Sequence, residues 1–203
     1  MSHRTRQQVI ADFRTADILE AARSIFASRG YSEATVEDIA QAAGVAKGTV
    51  YLYYPSKADV YWAALKDGIQ ALHKKLKTEM ARPGTVQEKV QRYIRVKVEY
   101  FYDNHNFFKI YFSEFGHAFV HPAALQKEFT DLYRKQAALL RTVLEEGVRS
   151  KVLRKIHTDA TAYAISDLTR SVITHKLLKW SHRKIQDDIE FVFDLIWKGI
   201  ATT

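Results

Sequence analysis

The stretch from Thr35 to Tyr54 restricts the fold of this chain most, because its pattern is that of two short helices joined by a tight turn. Apolar residues recur in its first half at the i, i+3, i+4 and i+7 spacing of one helix face. Thr35 and Asp38 stand three apart, as in a capping pair that satisfies the free N–H groups of a first turn. Gly44 can take the left-handed conformation that ends this helix, so a second helix of about residues 46–53 must cross the first steeply.

The second helix of this pair is short, and most of its residues are predicted to face outward. Val50 and Tyr54 are four apart and can face inward together. The other positions then present a cation, bare backbone, hydroxyls and rings, which are groups that bind phosphates and base edges. These positions are Lys47, Gly48, Thr49, Tyr51 and Tyr53. The stretch is therefore predicted to be a DNA-binding helix-turn-helix.

The string from Gly44 to Lys57, GVAKGTVYLYYPSK, resembles the helix-turn-helix of the TetR family of bacterial transcriptional regulators. Phe26 and Gly30 also stand at the family's spacing. The resemblance covers roughly the first sixty residues of the chain. The string departs from the family's pattern at Leu52, where a polar or aromatic residue is common, and this difference could shift the base preference.

The resemblance implies roles for individual residues of the motif. The implied contacts to base edges are Lys47, Gly48 and Thr49, and those to DNA phosphates are Thr35, Tyr51, Tyr53 and Lys57. The resemblance also implies a homodimer that binds a double-stranded DNA operator and a small-molecule effector. We expect a repressor rather than an activator.

Two other interpretations fit parts of the same stretch. Apolar residues at helical spacing are also expected of an ordinary core helix. The fragment GVAKGT faintly resembles a phosphate-binding loop. The phosphate loop is disfavoured, because the fragment lacks the Gly-Lys-Ser/Thr ending and follows a predicted helix rather than a strand.

The net charge of +8 does not by itself support DNA binding, because the excess lies outside the motif. Residues 1–60 hold seven Lys and Arg and seven Asp and Glu, so this part of the chain is neutral. The local distribution is more informative. No acidic residue occurs between Ile39 and Ala58, while Lys47 and Lys57 bracket the second helix.

Composition favours an all-α protein. The 203 residues include only three prolines and many apolar residues at helical spacing, and no cysteine that could form a disulfide or a thiolate metal site. The start MSHRTRQQ has no apolar segment behind it, and the chain has no apolar run of membrane-spanning length. We expect a cytoplasmic protein, with no membrane partner and no cofactor.

The chain is predicted to divide into a helix-turn-helix domain at residues 1–55, a connecting helix at 56–82, and an effector-binding and dimerisation domain at 83–203. Pro55 blocks continuation of the second motif helix, and Arg82-Pro83-Gly84 breaks the connecting helix. Residues 1–11 are predicted to be a mobile arm, whose Arg4 and Arg6 could enter a minor groove. The fold class is therefore all-α, with a three-helix N-terminal head and a larger helical body.

An aromatic cluster in the body is a candidate effector pocket. Rings are usual in a core, but they also supply the flat walls of small-molecule sites. The residues predicted to bind an effector are Tyr93, Phe101, Phe108, Tyr111, Phe112, Phe115, His117, Tyr133 and His175. The tyrosines and histidines among them could equally be hydrogen-bonded core residues. We expect an uncharged or partly aromatic effector that releases the DNA.

The last two helices, at about 159–179 and 183–201, are predicted to form the homodimer interface. Apolar residues cover roughly two-thirds of the circumference of the final helix, well beyond the stripe that one core contact requires. A second surface must therefore be buried, as in a four-helix interface. The predicted interface residues are Ala164, Leu168, Val172, Phe191 and Leu195.

Other classes of function are weaker. His117 and His121 have a metal-like spacing, but no third ligand is in view, so no metal site is predicted. A DNA-tethered enzyme is disfavoured, because the body has no nucleophile elbow and no phosphate loop. A DNA-compacting protein without an effector remains an alternative, and it would bind all sequences alike.

Overall fold

Three successive breaks between the helices of this protein contain a glycine or a proline. The computed structural model describes residues 6–117 and 123–202. Its helices, numbered α1 to α9 in chain order, are Arg6–Glu33, Val36–Ala42, Lys47–Tyr53, Lys57–Met80, Val86–Asp103, His105–His117, Ala123–Arg149, Thr158–Leu177 and Ile185–Ile200. Gly44 separates α2 from α3 with a φ of 66°, and Pro55 and Pro83 lie in the next two breaks.

The predicted all-α fold class is confirmed. Apart from its helices, the described part of the chain contains one isolated β-bridge, between Leu153 and Ala201, and no strand. None of the helices among the described residues is long and apolar enough to cross a membrane.

The first helix starts earlier and ends less cleanly than the sequence pattern indicates. α1 begins at Arg6, so residues 6–11 are helical instead of forming the predicted arm, since they contain no glycine or proline. Arg4 lies outside the described residues. Gly30, with φ 75° and ψ 170°, interrupts α1 near its end. Gly30 therefore ends the long part of α1, as its sequence predicts, and a short helical segment continues to Glu33.

The chain packs as two units. The first contains the described residues up to Gly68 together with those from Asn106 to Gln126, and the second contains 69–105 and those from Lys127 onward. The described residues between 106 and 126 thus belong to the same unit as the helix-turn-helix, although their sequence places them in the predicted effector-binding domain. The functional boundaries stay a prediction.

The first unit buries one apolar face of each helix of the head. Ile18, Ala22, Ile39 and Val50 have no exposed surface, and Phe26 is almost fully buried. The same unit brings α6 against α4 at Gly68. A Cβ atom at Gly68 would lie 2.3 Å from Cδ2 of Phe107, so the ring occupies the space that any larger residue would fill.

The second unit is built on α5, which packs against α8 and α9. Thr85 caps α5, because its hydroxyl accepts from the backbone N–H of Glu88 and the Glu88 carboxylate accepts from the N–H of Thr85. The buried face of α5 includes Val90, Ile94 and Phe101. The same buried face includes Lys97, which is only 2% exposed.

Candidate functional site

A capping box fixes the start of α2. The backbone N–H of Thr35 donates to Asp38 Oδ2 at 3.1 Å, and the N–H of Asp38 donates to Thr35 Oγ1 at 3.1 Å. The hydrogen bonds from Thr35 hold the pKa of Asp38 below its usual value, and Arg29, 2.8 Å away, acts in the same direction. Thr35, a predicted phosphate contact, is exposed but already bonded to this carboxylate.

The turn between α2 and α3 is held by the backbone. The N–H of Val45 donates to Ala40 O at 3.0 Å, and the N–H of Gly44 donates to Gln41 O at 3.2 Å. No described atom lies within 4 Å of a Cβ built on Gly44. Glycine is therefore required there for its positive φ and not for space.

The outer face of α3 carries most of the predicted DNA contacts. Val50 is fully buried and fixes the helix against the head. Thr49 and Tyr53 are half-buried, whereas Leu52 has 80% of its surface exposed. A side chain this exposed and apolar suits contact with a thymine methyl group. The fully outward positions of α3 are Lys47, Gly48, Tyr51 and Leu52.

Two of these outward residues are available to a ligand. Lys47 Nζ lies 3.2 Å from Glu37 Oε2, but both side chains are at least half exposed, so this ion pair is weak and a phosphate or base could replace it. No described atom lies within 4 Å of a Cβ built on Gly48. The packing of the protein therefore does not explain the glycine, whereas close approach of DNA would.

Lys57 is placed differently from its prediction as a phosphate contact. Its Nζ donates to the carbonyl oxygens of Tyr31 at 2.8 Å, Ser32 at 3.1 Å and Ala34 at 3.0 Å. It also lies 4.6 Å from the ring centroid of Tyr31. An ammonium has three protons, so all its donors are used on the segment that leads from α1 into α2. Sequence reasoning missed this role, because the partners lie more than twenty positions upstream.

The predicted effector-binding residues fall in both packing units. Phe108, Tyr111 and Phe112 belong to the first unit, and Tyr93, Phe101, Tyr133 and His175 to the second. Tyr93, Phe101, Phe108 and Tyr111 are at most 2% exposed. Phe112 is 43% exposed, and His175 is exposed beside Trp180. The side chains of Phe115 and His117 lie outside the described residues.

Hydrogen bonds join several polar residues inside the second unit. The Tyr93 hydroxyl lies 2.9 Å from Ser166 Oγ, and the Tyr133 hydroxyl donates to Asp167 Oδ1 at 2.9 Å. Arg170 lies 3.0 Å from the same carboxylate oxygen. Burial raises the pKa of Tyr93, and burial together with Asp167 raises that of Tyr133. Tyr93 therefore has the hydrogen-bonded core position that the sequence analysis kept as its alternative.

Lys97 is the member of this region that the sequence analysis did not single out. Its Nζ lies 5.5 Å from the ring centroid of Tyr93, one helical turn earlier on α5. A signal was present in the sequence. Lys97 lies four residues after Tyr93 and four before Phe101, so it interrupts an apolar stripe where a surface lysine is not expected.

The predicted dimer residues form a partly exposed apolar surface on α8 and α9. Leu168 is 38% exposed, Phe191 48% and Leu195 54%. Ala164 is exposed and Val172 half-buried. Arg183 lies over the ring of Phe191, 4.8 Å from its centroid. The final helix therefore keeps apolar side chains on a second face, as its pattern predicts.

The described residues contain no group of three or more His, Cys, Asp or Glu that could hold a metal ion. His121 lies outside these residues, so the structure does not describe the His117/His121 pair.

Two family models match separate parts of the chain. The model described as "Bacterial regulatory proteins, tetR family" matches residues 18–64, which contain α2 and α3. The model described as "Tetracyclin repressor-like, C-terminal domain" matches residues 83–174.

Curated relatives of this chain are transcriptional regulators. The fatty acid metabolism regulator protein of Bacillus subtilis (strain 168) is 25% identical over 138 residues, which are 68% of this chain and 70% of the relative. The HTH-type transcriptional repressor KstR2 of Rhodococcus jostii (strain RHA1) is 27% identical over 146 residues, covering 70% and 68% of the two chains. These relatives support a regulator and not an enzyme.

The fold of a solved regulator also matches. The crystal structure of FadR from Bacillus subtilis in complex with stearoyl-CoA has a TM-score of 0.80 and 22% sequence identity, and the match covers 91% of this chain and 98% of that one. The agreement in fold extends across both packing units of the sequence.

Proposed function

We propose that this chain, which belongs to the TetR family of bacterial regulatory proteins, is a cytoplasmic homodimeric repressor that leaves a palindromic operator when a small, largely apolar effector binds. It is a DNA-binding transcriptional regulator. The observation that carries the proposal is α3, in which Val50 is buried while Lys47, Gly48, Tyr51 and Leu52 face outward. A helix with one buried anchor and this outer face is suited to the major groove.

We assign base contacts to Lys47, Gly48 and Thr49, and phosphate contacts to Thr35, Tyr51 and Tyr53. The weak pairing of Lys47 and the open space beside Gly48 support the first group. We propose that Lys57 contacts a phosphate only in the DNA complex. There, its ammonium would give up one of its three carbonyl partners. In the free protein, its role is to hold the segment before α2.

The proposed dimer uses the exposed apolar face of α8 and α9. Leu168, Phe191 and Leu195 leave apolar surface in water that a second copy would cover. Changing Phe191 and Leu195 together to Asp should give a folded monomer in sedimentation velocity, with Lys198→Ala on the same helix as a control. A double variant that stays dimeric would place the interface elsewhere.

The proposed effector is an amphipathic molecule with a long apolar chain. The support comes from the B. subtilis relative that regulates fatty acid metabolism and from the FadR complex with stearoyl-CoA. We propose that α4, which contributes residues to both packing units, transmits the effect to α3. A coupling of about 3 kcal/mol would weaken DNA binding by roughly 150-fold.

Selection of bound fragments from a random DNA pool tests the DNA-binding proposal directly. A recovered palindrome, with half-sites about one helical turn apart, is expected because two copies of α3 related by a two-fold axis read one half-site each. Fragments with no common sequence would favour a compacting protein instead. Titrating acyl compounds against the selected operator then tests release, and the operator must weaken effector binding by the same factor.

A further inference from the structure

Lys97 is a cation inside the second packing unit. It is 2% exposed, and its neighbours on the same face of α5 are Tyr93, Ile94 and Phe101, which are at most 1% exposed. Lysine stems are often buried while the ammonium reaches water, but here almost the entire residue is covered. The ammonium lies over the ring of Tyr93 at 5.5 Å from its centroid. A buried cation needs a partner, because transfer of an unpaired charge from water is strongly unfavourable.

The protein does not supply that partner. Among the side chains that the structure describes, no carboxylate oxygen lies within 4.0 Å of Lys97 Nζ, and no acceptor makes a hydrogen bond with it. The nearest acidic influence is Asp167, whose Oδ1 already accepts from Tyr133 at 2.9 Å and lies 3.0 Å from Arg170. The carboxylate of Asp167 is therefore already bonded to Tyr133 and Arg170, and it forms no ion pair with Lys97.

The electrostatics agree with this geometry. Burial, and after it the charge of Arg170, lower the pKa of Lys97 to about 7, while the charge of Asp167 opposes both. Near neutral pH, the free protein thus holds this amine partly without its proton. An anion beside Nζ would favour the protonated, charged form of Lys97 and supply the partner that this buried ammonium lacks.

We propose that Lys97 binds the carboxylate of the effector, so that the ligand is a long-chain carboxylic acid whose chain packs against apolar residues of the body. This inference rests on the proposed effector-responsive function and replaces the expected uncharged effector with an anionic one. A carboxylate carries one negative charge, which matches the one positive charge of the Lys97 ammonium. A phosphate dianion would leave an excess negative charge, and a cationic head group would be repelled.

Ligands with one chain and different head groups test the proposal on the full-length protein. Calorimetric titrations would compare dodecanoate with dodecanol and dodecyl phosphate, and palmitate with hexadecanol and palmitoyl-CoA. We expect the carboxylate to bind about 10-fold or more tightly than the alcohol of the same chain. Lys97→Met should abolish this preference while leaving the affinity for the alcohol nearly unchanged. Arg95→Met, at an exposed position of the same helix, should leave the preference intact.

Proton uptake provides a second readout. At about pH 8, the wild-type protein should take up close to one proton per bound carboxylate, because the anion raises the pKa of Lys97 from about 7. The uptake is measured from the binding enthalpy in two buffers of different ionisation enthalpy. It should be absent with dodecanol and absent in Lys97→Met.

Three results would overturn the proposal: no binding of any carboxylate, equal binding of carboxylate and alcohol, or an unchanged carboxylate preference in Lys97→Met. Tighter binding of dodecyl phosphate or of palmitoyl-CoA, abolished by Lys97→Met, would replace the carboxylate with a phosphate. DNA binding is measured separately with the selected operator. A protein that binds its operator but no carboxylate would lose this inference and keep its DNA-binding function.

Discussion

The corner between α1 and α2 and the interior between α5 and α8 each contain a lysine with little freedom, but the two have opposite surroundings. Lys57 donates to three carbonyl oxygens, whereas Lys97 faces an aromatic ring and has no acceptor among the described residues. The protein itself completes the first arrangement. The second is incomplete without an anion, and this difference separates a residue that holds the fold from one suited to a ligand.

The pH dependence of stability should show the largest difference between the two regions. Lys97 has its pKa lowered from 10.5 to about 7, so the unfolded chain binds more protons than the folded one between these values, and stability rises with pH. We expect an increase of about 3 kcal/mol in the free energy of unfolding from about pH 7 to about pH 9.5. Urea unfolding at several pH values measures it.

The groups around Lys97 define the window and the controls for this experiment. Tyr93 and Tyr133 have raised pKa values and keep their protons throughout this window. Lys97→Met should lose most of the increase, and Lys57→Met should keep it. An equal increase in wild type and Lys97→Met would show that the pKa of Lys97 is not lowered in the folded protein.

Removal of the Lys57 ammonium should cause the next largest effect. Lys57→Met leaves three carbonyl oxygens without their donor, and because the site is partly exposed we expect a loss of about 2 kcal/mol in unfolding free energy. Thermal unfolding followed by circular dichroism measures it, with Lys74→Met on the exposed side of α4 as the control. Weakened DNA binding at unchanged stability would instead assign Lys57 to phosphate contact alone.

A third lysine extends the comparison, because the side chain of Lys47 is half exposed and makes one weak ion pair with Glu37. Lys47→Ala should alter sequence preference at the half-site, whereas Lys57→Ala should weaken all DNA sequences alike. If Lys57 also contacts phosphate, its replacement lowers the slope of log affinity against log salt by about one unit. Fluorescence anisotropy with selected and scrambled operators, at several salt concentrations, separates these cases. A uniform loss for both variants would remove Lys47 from base contact.

Gly48→Ala should give the smallest change in stability and a clear change in DNA binding. No described atom would contact the added methyl group, and alanine favours a helix over glycine by about 0.5–1 kcal/mol. The variant should therefore be as stable as the wild type or slightly more so, yet bind the operator more weakly. Full operator affinity in this variant would show that DNA does not approach Gly48 closely.

Short-range patterns predicted much of the fold and of the DNA-binding site. The capping residues Thr35 and Asp38, the turn at Gly44 and the inward Val50 lie within sixteen positions of one another. Their interactions depend on neighbours along one or two helices, which periodicity and glycine conformation describe directly. The all-α class and the family followed from the same signals.

The roles of the two contrasted lysines could not be predicted in this way. The partners of Lys57 stand 23 to 26 residues upstream, and those of the Lys97 region come from α8. Which aromatic residues are buried could not be predicted either, because ring content alone does not distinguish exposed Phe112 from buried Phe108. Long-range packing decides these positions, and the spacing along the chain does not record it.

The contact between Gly68 and Phe107 has a consequence for how this sequence can diverge. Glycine within a helix is normally less stabilising than alanine. Selection for stability should therefore favour a larger residue at position 68. The ring of Phe107 blocks that route, since it would lie 2.3 Å from the first added carbon. A larger residue at 68 becomes acceptable when position 107 loses its Cγ and ring atoms, as in Phe107→Ala. Descendants of this protein should therefore change the two positions as a compensating pair, and a single replacement at 68 should be rare among them.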